Sequence, residues 1–223
     1  MVSKIPILKV NSENLYFEVA GAGRPILALT PLLLDHTFLR PFTQVLAEEY
    51  MTISLDLLGH GLSDKPEDEE LYSYENLANH CYQLIRHMNI KKHDIVGISW
   101  SGRIALTYTL LHQDHVRALI LIGSSSPKQK PTAPQISPER SPRERFVVEI
   151  AYKMPYDVSR ELKRIQVPTL IIVGDKDPRL KAARLMHREI PRSTMKIIKG
   201  IGHEFDLRIC TKYISSWLKE LPG

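Results

Sequence analysis

The chain has 223 residues, 43% of them hydrophobic and 25% charged, which suits one soluble domain with a sizeable core. No stretch approaches the roughly 18 to 20 apolar residues of a spanning helix, and the N-terminus has neither an apolar h-region nor a small-residue cleavage site. These features predict no membrane span, no signal peptide and a cytoplasmic location, and the net charge of +5 is too scattered, without aromatic RNA-binding motifs or zinc spacing, to predict a nucleic-acid partner.

In chain order, the apolar runs Ile5 to Val10 and Leu15 to Val19 flank Asn11-Ser12-Glu13-Asn14 and predict an antiparallel hairpin. Pro25 to Leu29 and Met51 to Leu55 read as buried strands, with a helix over Phe38 to Glu49 between them. Ser73 is placed to cap a helix whose Leu77, Cys81, Leu84, Ile85 and Met88 share one face. Asp94 to Ile98 and Val116 to Ile122 are continuous apolar strands around a helical stretch, Trp100 to His112. Pro168 to Val173 and Thr194 to Ile198 supply two more strands. Phe205, Ile209, Tyr213, Trp217 and Leu221 recur every four residues and predict a closing C-terminal helix. This alternation is that of a mostly parallel sheet flanked by helices.

Residues 124 to 145 break the rhythm, holding five of the fifteen prolines and five Lys/Arg against two Glu. Such a stretch is expected to loop over the surface, with a short helix over Phe146 to Lys153 whose Val147, Ile150 and Ala151 face inward. Its cations Lys128, Lys130, Arg140, Arg143 and Arg145, joined by Arg103, serve either solubility or the capture of an anionic substrate. Cys81 and Cys210 lie in helix-like patterns far apart in sequence and could pair in space, but two buried free thiols in a reducing cytosol is the simpler reading, and neither sits in a metal-ligand spacing.

The chemistry concentrates at Gly97-Ile98-Ser99-Trp100-Ser101-Gly102, where a buried strand runs straight into a helix with a serine at the junction. Small residues around that serine suit a nucleophile elbow, in which a strained turn lifts the hydroxyl above the sheet; an ordinary strand-to-helix turn is the competing reading. Downstream lie Asp175 and Asp177 in Gly174-Asp175-Lys176-Asp177-Pro178, then His203 in Gly200-Ile201-Gly202-His203.

Together with Asp56-Leu57-Leu58-Gly59-His60-Gly61-Leu62-Ser63, these segments resemble the α/β-hydrolase superfamily over nearly the whole chain and in the family's order. The resemblance implies an α/β-hydrolase fold over residues 1–223, with 124–166 as a reduced cap. It implies a serine hydrolase that needs no cofactor or metal and cleaves an ester, thioester or similar acyl bond of a small molecule. Ser99 would be the nucleophile, His203 the base, and Asp177, favoured over Asp175, the acid that orients the imidazole. His60 would be architectural.

The usual Gly-x-Ser-x-Gly has Ser101 at its last position, and the His-Gly expected after the third strand is replaced by Thr30-Pro31. The oxyanion donors are then the backbone N–H groups of Leu32 and Trp100, whereas a register shift of one would fall on Pro31, which has none. Arg103 and Phe146 are further candidates for substrate contact. A reduced cap implies a more open site, or one completed by a second subunit of a homodimer. A non-hydrolytic lyase, cyclase or ligand-binding member of the same fold is the alternative function.

Overall fold

The computed structural model describes residues 6–221 apart from 131, 133, 134 and 205. The chain opens with β1 (Ile7–Val10) and β2 (Glu13–Ala20), which pair antiparallel around a turn in which Asn11 adopts φ +54°. β3 (Pro25–Leu29), α1 (His36–Leu46), β4 (Met51–Leu55), α2 (Tyr74–His87), β5 (His93–Ile98), α3 (Ser101–His112) and β6 (Val116–Ile122) follow. After β6 come two short paired strands, β7 (Lys128–Gln129) and β8 (Tyr156–Asp157), with α4 (Pro142–Lys153) between them. The chain ends with β9 (Thr169–Gly174), α5 (Leu180–Glu189), β10 (Ser193–Ile198) and α6 (Arg208–Glu220).

Eight strands form one sheet in the order β1-β2-β4-β3-β5-β6-β9-β10. The β1–β2 and β2–β4 pairs are antiparallel, and every pair from β4 to β10 is parallel. β3, β5, β6 and β9 are buried on both faces, whereas β10 at the sheet edge has no buried residue. Ile26, Ala28, Val96 and Ile98 point to one side, Leu27, Leu29 and Ile95 to the other. Phe42 of α1 and Ile214 of α6 join the first cluster; Leu77 of α2, Ile104 of α3 and Met186 of α5 join the second. Cys81 and Cys210 are buried in opposite clusters and both are free thiols.

After β3 the chain winds outward to β4, then crosses back to β5 on the other side of β3. Such a reversal opens a crevice at the carboxyl ends of the strands, the usual ligand site of an open α/β sheet. Ser99 follows β5 directly, and Pro31 and Leu32 follow β3.

Three expectations need correction. The helix after the proline-rich stretch begins at Pro142 rather than Phe146, because Ser141 and Glu144 form a reciprocal capping box and Pro142 stands at the first helical position. The stretch before it is not a free loop throughout, since Lys128–Gln129 pairs with Tyr156–Asp157. The buried stripe of α6 runs through Cys210, Ile214 and Leu218, whereas Ile209, Tyr213 and Trp217 are only half-buried and Phe205 lies outside the described residues. Among the described residues, no helix is long and apolar enough to cross a membrane.

Candidate active site

Ser99 sits at the carboxyl end of β5 with φ +55°, a left-handed conformation that costs a side-chain-bearing residue about 1–2 kcal/mol. The surroundings hold it there: its N–H donates to Ile122 O at 2.9 Å, and its carbonyl oxygen accepts from Ser125 N–H at 2.8 Å. Position 102 must be glycine, because a Cβ there would collide with the Ser124 side chain. Ser101, which stands where a glycine was expected, is fully buried. Its hydroxyl accepts from Ile98 N–H at 3.0 Å and faces Leu29 O at 3.1 Å, tying the elbow to the end of β3.

The Ser99 Oγ lies 3.1 Å from His203 Nε2, and His203 Nδ1 lies 2.9 Å from Asp177 Oδ2. A carboxylate only accepts, so the Nδ1 position carries the ring proton and Nε2 turns its lone pair to the serine hydroxyl. Asp177 is 3% exposed, and its other oxygen accepts the Arg179 N–H at 2.8 Å. Asp175 is exposed and accepts Gly200 N–H at 2.7 Å, bracing the loop that carries the histidine. The geometry therefore joins Asp177, and not Asp175, to His203. Gly123, with φ +49°, lies under this pair, and a Cβ there would come within 3.3 Å of the imidazole.

Leu32 lies within a turn in which Pro31 O accepts Leu34 N–H at 3.2 Å while Leu33 takes φ +63°. Trp100 caps α3, so its N–H belongs to the positive end of a helix that starts under Ser99. Among the described residues neither the Leu32 nor the Trp100 N–H donates to a backbone or side-chain acceptor. The Trp100 ring is held by stacking on His60, with centroids 5.7 Å apart, and by its Nε1–H bond to Tyr74 Oη at 3.2 Å. His60 is buried, bonded through Nδ1 to Leu58 O at 3.0 Å, and burial holds its imidazole below the usual range.

Two cavities meet at Ser99. The first, of about 460 Å³, is walled by Leu34, Phe38, Ile98, Ile122 and Leu207, with His203 and Glu204 along it. The second, of about 360 Å³, is bordered by Trp100, Arg103, Ser125, Gln129 and Arg179; Ser99 and Leu32 line both. A further cavity of about 460 Å³ lies at the opposite end of the sheet between Val116, Val167 and Arg192 and is lined by no serine, cysteine or histidine.

Arg103 is 6% exposed, and its guanidinium donates to Ser126 O at 3.0 Å, Tyr74 Oη at 3.1 Å and Gln129 Oε1. Phe146 is not brought to Ser99; it packs edge-on against Tyr72 with centroids 5.8 Å apart and lies under Arg143. Several cations of the proline-rich stretch are engaged locally: Lys128 with Asp157 at 2.7 Å, Arg140 with Glu144 at 3.5 Å, and Arg143 with Tyr72 Oη at 2.6 Å. Arg179 and Tyr74 carry no signal in the sequence. Both owe their place at the site to tertiary contacts that no local pattern announces.

A family model described as the alpha/beta hydrolase fold matches residues 36–147. The 2-hydroxy-6-oxo-6-(2'-aminophenyl)hexa-2,4-dienoic acid hydrolase of Metapseudomonas resinovorans is 38% identical over 117 residues, which are 51% of this chain and 39% of that protein. The 2-hydroxymuconate semialdehyde hydrolase of Pseudomonas sp. (strain CF600) is 31% identical over 109 residues, 48% of this chain and 38% of that protein. The solved esterase from Exiguobacterium antarcticum superposes with a TM-score of 0.83 at 24% identity, covering 96% of this chain and 98% of the other. That likeness establishes a shared fold. The aligned part of the chain spans less than two-fifths of the length of the two sequence relatives.

Proposed function

The chain belongs to the α/β-hydrolase fold family, and from that premise we propose that it is a serine hydrolase cleaving an ester, thioester or related acyl bond of a small molecule. The observation that carries this reading is the Ser99–His203–Asp177 chain of hydrogen bonds, 3.1 and 2.9 Å long, standing where two cavities meet. A hydrolytic activity on a small organic substrate also agrees with the named activities of the two sequence relatives.

In this reading the Ser99 Oγ adds to the carbonyl carbon while its proton passes to His203 Nε2. Asp177 keeps the Nδ1 tautomer and stabilises the imidazolium. The Leu32 and Trp100 N–H groups receive the negative charge that develops on the carbonyl oxygen. The tetrahedral intermediate then expels its leaving group, which takes the proton from Nε2, and leaves an acyl ester on Ser99. Water repeats the sequence: its proton goes to Nε2, its oxygen joins the acyl carbon, and Ser99 recovers its hydrogen as the acid departs. Residues 1–223 are read as one domain with 124–166 as a small cap.

A non-hydrolytic member of the fold is the second reading, favoured by Thr30-Pro31 in place of His-Gly. Loss of one oxyanion donor typically costs about 2.7–4 kcal/mol of transition-state stabilisation. Stopped-flow mixing with a 4-nitrophenyl ester separates the two. The hydrolase reading expects a burst of nitrophenolate stoichiometric with protein, absent in Ser99→Ala. Absence of both burst and turnover over a range of acyl lengths would favour the second reading.

A further inference from the structure

The two cavities that share Ser99 differ in chemistry, and that difference assigns the two halves of the substrate. His203 and Glu204 border the first cavity but not the second; Trp100, Arg103 and Arg179 border the second but not the first. Any leaving group must accept its proton from His203 Nε2, so it departs on the His203 side, between Phe38, Ile122 and Leu207. The acyl chain is left with the other cavity, beside Trp100 and the arginines.

That second cavity is bordered by two arginines and by no carboxylate. Among the described residues the Arg179 guanidinium makes no hydrogen bond, and its nearest carboxylate contact is Asp177 Oδ1 at 3.9 Å. Asp177 is already committed to His203 through its other oxygen. Arg103 is 94% buried by its 6% exposure, and its Nε and Nη1 are bonded, yet its Nη2 donates to no described acceptor. Desolvation holds the Arg179 guanidinium below its usual pKa; the Asp177 carboxylate opposes that shift, and the Arg103 charge adds to it more weakly. On the opposite side, Glu204 lines the leaving-group cavity and disfavours an anion there.

We propose that the cavity between Trp100 and Arg179 is an acyl subsite for a chain ending in a carboxylate, which pairs with Arg179 and the free Nη2 of Arg103. The preferred substrates are then hemi-esters or hemi-thioesters of a short dicarboxylic acid, with an apolar leaving group. A planar carboxylate suits the forked guanidinium, and closure of the pair relieves the repulsion between the two arginines. This inference rests on the serine-hydrolase reading for its orientation, although the binding of an anion does not.

The test compares three 4-substituted phenyl esters: the 4-nitrophenyl esters of glutarate (one carboxylate free) and of pentanoate, and 4-carboxyphenyl pentanoate, which moves the anion to the leaving group. The wild type is expected to favour the hemiglutarate over the 4-nitrophenyl pentanoate by at least ten-fold in kcat/KM, mostly through KM. In Arg179→Gln that ratio collapses toward one, and Arg179→Lys restores part of it. Taking the ratio within each variant cancels any general effect of the substitution on Asp177. The carboxyphenyl ester should show no dependence on Arg179 beyond that of 4-nitrophenyl pentanoate. A hemiglutarate ratio near one in the wild type, an unchanged ratio in Arg179→Gln, or an Arg179-dependent gain for the carboxyphenyl ester would each overturn the proposal.

Calorimetry with glutarate on Ser99→Ala keeps the subsite separate from catalysis. At least ten-fold weaker binding in Ser99→Ala/Arg179→Gln upholds the anion site even where no ester is turned over. Equal binding in both proteins, or none in either, contradicts it.

Discussion

The Ser101 hydroxyl faces the Leu29 carbonyl oxygen at 3.1 Å, joining the turn after β5 to the last residue of β3. It also accepts the buried Ile98 N–H at 3.0 Å, so two neighbouring strand ends depend on one side chain. The departure from Gly-x-Ser-x-Gly thus has a structural reason, and restoring the family's usual residue should harm this protein. Ser101→Gly is expected to lower stability by about 1–3 kcal/mol, because it strands a buried N–H. Urea unfolding followed by circular dichroism measures it. Unchanged stability would show that Ser101 merely fills space.

Asp177 and Asp175 are two residues apart yet differ in partner. Asp177→Asn should lower kcat by about four orders of magnitude, through loss of the tautomer that presents a bare Nε2 to Ser99. Asp175→Asn removes only a brace to Gly200 N–H and should cost less than about ten-fold, an exposed hydrogen bond being worth about 1 kcal/mol. Steady-state kinetics with one 4-nitrophenyl ester rank the two, and the reverse order would assign the acid to Asp175.

Leu32 offers a backbone donor that can be deleted by changing one residue. Leu32→Pro removes the N–H and should reduce kcat by about 10²–10³-fold, whereas Leu32→Ala keeps the N–H and should reduce it far less. Equal effects in the two variants would mean that the side chain, and not the N–H, matters.

His93 is fully buried and neither ring nitrogen has a hydrogen-bond partner among the described residues. Burial pushes its imidazole down to about 3 from an ordinary 6.5. The unfolded chain therefore binds a proton below pH 6.5 that the folded protein refuses. Stability from this group is complete above pH 6.5 and drains away toward pH 3, with a slope of up to about 1.4 kcal/mol per pH unit. His60 and His80 are shifted in the same direction by burial and add to the decline. His93→Leu should be visibly less acid-sensitive than the wild type in chemical unfolding at pH 7 and pH 5. Parallel losses in both proteins would remove His93 from the acid response.

Much of this arrangement is legible in the sequence. β3 begins and ends where its apolar run does, because a strand buried on both faces favours uninterrupted apolar sequence, and β4 keeps its predicted bounds although Thr52 and Ser54 are buried within it. Motif order groups Ser99, Asp177 and His203; in the structure the His203 ring lies 3.1 Å from Ser99 and 2.9 Å from Asp177, and their catalytic role is the proposal made above. The α6 face was misplaced because a strict four-residue repeat drifts from the 3.6-residue turn, so the stripe settles on Cys210, Ile214 and Leu218. α5 gave too thin an apolar signal: only Ala183 and Met186 of its ten residues are buried. Arg179 is invisible to pattern reading, since its meaning lies in sharing a cavity with Arg103, 76 positions earlier in the chain by their residue numbers.

The central claim is that Ser99 is an activated nucleophile with working oxyanion donors, and covalent labelling tests it most directly. The wild type and Ser99→Ala are treated with a fluorophosphonate, digested, and mapped by mass spectrometry. The account predicts one phosphonyl adduct per wild-type chain, on Ser99, formed within minutes, slowed by His203→Ala and absent from Ser99→Ala. A wild-type protein that stays unlabelled while folded, or that carries the adduct on another residue, would contradict it.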